Sequence, residues 1–266
     1  MTFFHETSSL PEDTSAVLRW IEALYGRNAI DDPTWISAGL YQVIALWAQT
    51  ADRHVVIRIA PDSPRSLRDI FCLNLARARA DTIIITGKIL RDEPHLRYEI
   101  APGLRRWRRE LLGLQKLPEL VVLTRTMPDP NHPALRGPSP SLIYTTSEIA
   151  KKARSAGLEV HPDEQPSLAK LVRWLRARGQ KNLCLEAGAR TTADLYSLPA
   201  NRNDPTIDEL MLSRYAGSIL PNHLRGLSFP SLHGLGRYFD LPADDPSMQP
   251  PTELWTFSRM RRMSQL

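Results

Sequence analysis

Glu186 closes a short apolar run (Leu183, Cys184, Leu185) and is followed by a small-residue turn, Ala187-Gly188-Ala189, before Arg190, Thr191 and Thr192. A buried strand running through small residues into a helix start is a place to hold an anion. Backbone N–H groups point outward there, and the helix dipole favours negative charge. Gly188 would let the backbone approach a phosphate closely. The pattern is shorter than the full G-x-G-x-x-G fingerprint, and an ordinary strand-to-helix turn has the same residues. A second window, TIIITGKILRDEP over residues 82–94, gives the first one weight. Its strand ends at Thr86-Gly87, where N–H groups become available, and Lys88 places a cation at that turn. Asp92 and Glu93 precede Pro94, which fixes the loop.

The elements that must position these residues follow from periodicity. Residues 1–50 read as a helical N-terminal extension. Pro11, Glu12 and Asp13 give helix-start chemistry, and Val17, Leu18, Ile21, Leu24 and Tyr25 recur at helical spacing. A second helix is expected over about 34–47, after Asp31-Asp32-Pro33. From residue 54 strand and helix signals alternate. Strands are expected at 54–60, 82–86, 119–124, 141–145, 158–161, 182–186 and 207–215. Helices are expected at 66–79, from a capping Ser147 to Gly157, and over 167–179. This succession argues for an α/β sandwich with a mostly parallel sheet. The alternation in TELWTFSRMRRM suits an antiparallel edge strand. Residues 221–250, rich in Pro, Gly, Ser and Asp, read as a long loop. Residues 51–266 thus form one domain.

With 266 residues and a net charge of +5, the chain can bury a full core. Its basic residues concentrate in Arg105, Arg106, Arg108 and Arg109 and in Arg259, Arg261 and Arg262, read as solvated faces. Nucleic-acid binding is not expected, because stacking aromatics and a groove-reading helix are missing. No apolar run reaches the roughly 20 residues that span a bilayer, and no secretory signal opens the chain. The 2 cysteines, Cys72 and Cys184, sit in apolar surroundings, as expected of a reduced, cytoplasmic protein. His95 and His161 read as structural, and no metal site is expected.

Five motifs in order resemble the reductase domain of riboflavin biosynthesis, which forms the C-terminal half of a bifunctional deaminase–reductase. They are Arg79-Ala80-Asp81, Thr86-Gly87-Lys88, Asp92-Glu93-Pro94, Glu186-Ala187-Gly188 and Asp208-Glu209-Leu210. The resemblance covers about residues 54–220. It implies a dihydrofolate-reductase-like three-layer α/β sandwich, a homodimer and NADPH as cofactor. The implied reaction is hydride transfer to a phosphorylated ribosylamino-heterocycle. It further implies that Thr86, Gly87, Lys88, Gly188, Ala189, Arg190 and Thr191 contact the dinucleotide, and that Thr124 and Arg125 grip its 2′-phosphate. An arginine suits that dianion through paired hydrogen bonds. Asp92, Glu186 and Asp62 take the acidic positions near substrate, accepting hydrogen bonds from ribosyl or ribityl hydroxyls.

The departures concern the substrate more than the cofactor. Lys88 replaces the family's threonine and Ala187 its first glycine. The first-strand loop reads Ala60-Pro61-Asp62-Ser63 without the family's Lys, and Arg97 falls two positions early, with Glu99 in its place. A reductase with another substrate, and a non-catalytic binding or dimerisation module that keeps the fold, are the alternatives.

Overall fold

The computed structural model describes residues 9–48, 53–57, 63–196, 204–218, 228–229, 232–240 and 254–263. Strands β1 (Gly39–Ala48), β2 (His54–Val56), β3 (Thr82–Thr86), β4 (Glu119–Leu123) and β5 (Ser141–Thr145) come first. They are followed by β6 (Val160–Pro162), β7 (Asn182–Glu186), β8 (Glu209–Tyr215), β9 (Ser228–Phe229) and β10 (Trp255–Arg261). The helices are α1 (Thr14–Tyr25), α2 (Leu67–Arg79), α3 (Gly87–Asp92), α4 (Pro102–Glu110), α5 (Ser147–Ser155), α6 (Leu168–Ala177), α7 (Ala189–Thr192) and α8 (Leu232–Leu235).

Side-chain oxygens accepting from first-turn N–H groups start the main helices: Asp13 for α1, Ser66 for α2, Thr146 for α5 and Ser167 for α6. The α5 cap is thus Thr146, one residue before the expected Ser147. Gly157 and Gly179, at φ +76° and +84°, turn the chain out of α5 and α6 where a Cβ would be strained.

The sheet runs β10-β8-β1-β7-β3-β4-β5-β6. Neighbours from β8 to β6 are parallel. β10 adds the expected antiparallel edge, Trp255 opposite Tyr215 through Arg261 opposite Glu209. β2 and β9 form a small antiparallel ladder off β1. Two apolar layers cover the sheet. One holds Val17 and Ile21 of α1, Phe71 and Leu75 of α2, and Leu104 and Trp107 of α4. The other holds Leu168, Leu171, Val172 and Leu175 of α6, with Leu195 and Tyr196 beyond α7. Helices on both faces of a mostly parallel sheet make three layers.

Four expectations are corrected. The helix expected over 34–47 does not form: Pro33–Ile36 is a 3-10 turn and 39–48 is β1. β1 pairs with β7 and β8, so a domain boundary at residue 50 would divide the sheet. Tyr41, Val43, Ile44 and Trp47 have strand propensity. Gly39, Leu40, Tyr41 and Gln42 are buried in succession, so the start of the strand gives no alternation to separate strand from helix. The first parallel strand is therefore β1, whereas β2, expected to fill that role, lies off the parallel path. Finally, the arginine clusters are not simply solvated. Arg108 is buried, donating to the carbonyls of Ala78, Ala80 and Lys116, and Arg259 and Arg262 are likewise engaged inside. Of the expected 221–250 loop, only 228–229 and 232–240 fall within the described residues.

Candidate active site at the carboxyl ends of β7, β3 and β4

β7 and β3 are neighbours, with Ile85 opposite Glu186, and β4 lies on the far side of β3. The chain leaves β3 through α3 on the α1–α2 face, where Leu90 joins that core. It leaves β7 toward the opposite face, where Ala187 and Leu195 join the other core. Adjacent connections thus diverge to opposite faces at the carboxyl ends of the strands, the arrangement beside which open α/β sheets bind ligands. Thr86, Gly87, Lys88, Thr124, Arg125, Glu186, Gly188, Ala189, Arg190 and Thr191 all belong to these strand ends or the turns beyond them. Asp62 lies outside the described residues.

The side chains divide by what they touch. Thr86 precedes α3 without a capping side-chain bond. Gly87 is required by packing: an added Cβ would come within 2.7 Å of Thr124 Cβ. Thr124 is buried. Its hydroxyl donates to the Thr126 carbonyl at 2.9 Å and accepts from the Thr126 N–H at 3.1 Å, shaping the turn after β4. Arg125 is exposed, its Nη2 donating to the Pro166 carbonyl at 3.1 Å. Lys88 and Asp92 pair across one turn of α3. Arg91, which the sequence reading passed over, reaches Thr126 Oγ1 at 2.8 Å. Arg190 and Thr191 are exposed. A Cβ on Gly188 would meet nothing within 4 Å, and at φ −68° the backbone there suits any residue. The open space above Gly188 can therefore admit a ligand. α7 has 4 residues, so the expected macrodipole contributes little there.

Glu186 is not available in the way expected. Its two oxygens accept from Arg77 Nε at 2.6 Å and Nη2 at 2.7 Å, and Arg77 also lies 4.4 Å from the centre of the Tyr98 ring. Both partners of this ion pair are nearly inaccessible, at 7% and 10% side-chain exposure. Removing one half of such a pair would strand the other charge. The Tyr98 phenol is held well above its ordinary range, first by burial and then by the Glu186 charge. Burial likewise raises the carboxyl of Glu93, aided by the charges of Glu186 and Asp92 and opposed by Arg77. An arginine on the buried face of α2 was the one signal of this pair in the sequence, because a buried charge demands a partner.

His132 steadies the end of α3. Its Nδ1 accepts from the Ala134 N–H at 3.1 Å, so Nε2 carries the proton and donates to the Leu90 and Glu93 carbonyls, each at 3.1 Å. The remaining resemblance motifs lie at the other end of the sheet. Asp81 accepts from the N–H groups of Lys181 and Asn182, and Asp208 from that of Leu40. Glu209 sits between Arg79 and Arg259. Among the described residues, no group of His, Cys, Asp or Glu is placed to hold a metal ion, and no helix is long and apolar enough to cross a membrane.

No protein-family model matches the chain, and no curated protein matches it significantly. Solved structures do. A pyrimidine reductase-like protein of Corynebacterium diphtheriae superposes with a TM-score of 0.61 at 18% identity, over 92% of this chain and 99% of that one. RibD of Acinetobacter baumannii gives 0.56 at 12% identity, over 89% of this chain and 61% of its own length. The riboflavin biosynthesis reductase of Saccharomyces cerevisiae gives 0.51 at 15% identity, over 86% and 91%. This chain therefore has the fold of the pyrimidine and riboflavin-biosynthesis reductases, a dihydrofolate-reductase-like α/β sandwich.

Proposed function

We propose that the chain is an NADPH-dependent reductase whose substrate is a phosphorylated ribosylamino-heterocycle or a similar molecule. The observation that carries this reading is the divergence of the chain to opposite faces after β3 and β7, with Lys88, Arg91, Arg125 and Arg190 exposed around these strand ends and that of β4. Exposed cations at these strand ends, with unobstructed space over Gly188, suit an extended ligand bearing several phosphates. The fold shared with reductases adds support. Arg125 would hold the 2′-phosphate, and the turn of Gly188, Ala189, Arg190 and Thr191 the pyrophosphate. Thr124 acts indirectly, by shaping the turn that presents Arg125. When bound, the nicotinamide supplies the hydride, so the protein needs no nucleophile of its own. The chain's part is to orient two ligands and tune the charge around them. A cytoplasmic homodimer completes the reading.

A second reading has its own support. Glu186 is occupied by Arg77 and Asp92 by Lys88, so two acidic residues expected at the substrate already have partners. That favours a different substrate, or a binding module without catalysis. Fluorescence titration with NADPH and NADH separates the cases. Tight, NADPH-selective binding, abolished in Arg125→Glu, supports the cofactor assignment; equal binding by that variant refutes it. Turnover of 5-amino-6-(5-phosphoribosylamino)uracil would then decide the substrate.

A further inference from the structure

Gln42 lies in β1 opposite Leu185 and is wholly buried. Its Nε2 donates to the Ala187 carbonyl at 2.8 Å and lies 3.3 Å from Thr192 Oγ1. Its Oε1 accepts from the Tyr196 phenol at 2.6 Å, and Thr192 and Tyr196 hydroxyls are 2.9 Å apart. An amide and two hydroxyls thus close a ring inside an otherwise apolar layer of Leu40, Ile44, Leu185 and Leu195. Burying polar groups is costly unless all are satisfied, and aliphatic side chains would fill the space with less risk. The ring meets the main chain at the carbonyl of Ala187.

That bond has a geometric consequence. The described chain contains no cis peptide bond, so the Ala187–Gly188 peptide is trans and its N–H points opposite to its C=O. Holding the carbonyl inward on Gln42 aims the Gly188 N–H away from the packed layer. Gly188 is itself exposed. We infer that Gln42 is a positioning residue: by fixing the Ala187 carbonyl, it presents the Gly188 N–H to an anionic oxygen of the ligand at the carboxyl end of β7. This rests on the reductase reading for the ligand's identity, but the peptide's orientation can be tested without any ligand.

The test uses the full chain labelled with 15N-glycine, with the Gly188 amide identified by its loss in Gly188→Ala. In the ligand-free parent, that amide should exchange freely with water, and NADPH should slow the exchange. Gln42→Met removes the donor to Ala187. It should shift or broaden the Gly188 resonance and raise the NADPH Kd about tenfold, the loss of one charge-assisted hydrogen bond. Tyr196→Phe removes a hydrogen bond from the same ring but leaves that donor. It should keep the resonance in place and change the Kd less than about twofold. A protected Gly188 amide in the free parent overturns the inference even if Gln42→Met does not fold. So does an unmoved resonance in Gln42→Met, or equal weakening by both variants. If the parent binds neither nicotinamide dinucleotide, the reductase reading fails by itself, and the Gly188 resonance in the two variants still decides the role of Gln42.

Discussion

The two ends of the sheet use the same residue types to opposite effect. At the amino end, charge is enclosed. Glu209 receives Arg79 and Arg259, and Arg259 also reaches Asp32. The Trp35 ring lies 4.7 Å from the Arg79 guanidinium and 3.9 Å from that of Arg259. Asp81 and Asp208 accept from backbone N–H groups where β7 and β1 begin. At the carboxyl end Lys88 pairs with Asp92, while Arg91, Arg125 and Arg190 stand exposed. The enclosed set has its counter-charges built in and holds the fold. The exposed set keeps its capacity for an anion from outside. Motif residues that stand together in a family resemblance thus divide between an enclosed charge cluster and the strand ends of the proposed site.

The sharpest way to break this comparison is at Glu209. Glu209→Ala would leave two buried guanidiniums without their carboxylate, and a loss of about 3–5 kcal/mol is expected in urea unfolding. A similar substitution at exposed Arg190 should change stability by less than about 0.5 kcal/mol. The same contrast has a pH form. Burial alone would raise the Glu209 carboxyl, but Arg79 and then Arg259 outweigh it and hold it at about 2, against an ordinary 4.5. Between those values the unfolded chain takes up a proton that the folded chain refuses, so stability falls as pH falls from about 4.5 toward 2. The expected loss is on the order of 3 kcal/mol. Urea midpoints at pH 6 and pH 3, compared with Glu209→Gln, check it; a midpoint difference equal to that of the variant would remove Glu209 as the cause.

The two glycines beyond β3 and β7 sharpen the comparison further. Gly87→Ala drives a methyl into Thr124 and should cost about 1–3 kcal/mol by thermal or urea unfolding. Gly188→Ala meets open space at a compatible φ and should be neutral or gain up to about 1 kcal/mol. It should nonetheless weaken NADPH, because the methyl fills the ligand's space. A Gly188→Ala protein that keeps both stability and affinity would remove that turn from the binding site.

Much of the fold is legible in the chain because short apolar runs bounded by turn residues mark β3, β4, β5 and β7, and helical periodicity marks α1 and α6. β1 is hidden because its first residues, buried in succession, carry no alternation. The candidate site is half legible. Spacing brings Gly87, Arg125 and Gly188 to one end of the sheet, since each follows a recognisable strand. It gives no view of Arg77, which lies 109 residues before Glu186 and turns that carboxylate into an internal partner. Gln42 stays invisible for a similar reason: its partners at Ala187 and Tyr196 lie 145 and 154 residues away. Pairings across such distances are properties of topology, which local pattern does not encode.

The amino-end charge cluster also sets an order of events during synthesis. Asp32 and Arg259 are 227 residues apart, and Arg79 and Glu209 are 130 apart. When Arg79 leaves the ribosome its carboxylate has not been made, and when Glu209 emerges its second arginine has not. The cluster can close only after β10 is released, so the growing chain carries unmatched charge at this end until β10 emerges. The pairing of β10 with β8 therefore does two things at once: it adds a strand to the sheet and brings Glu209 its second arginine.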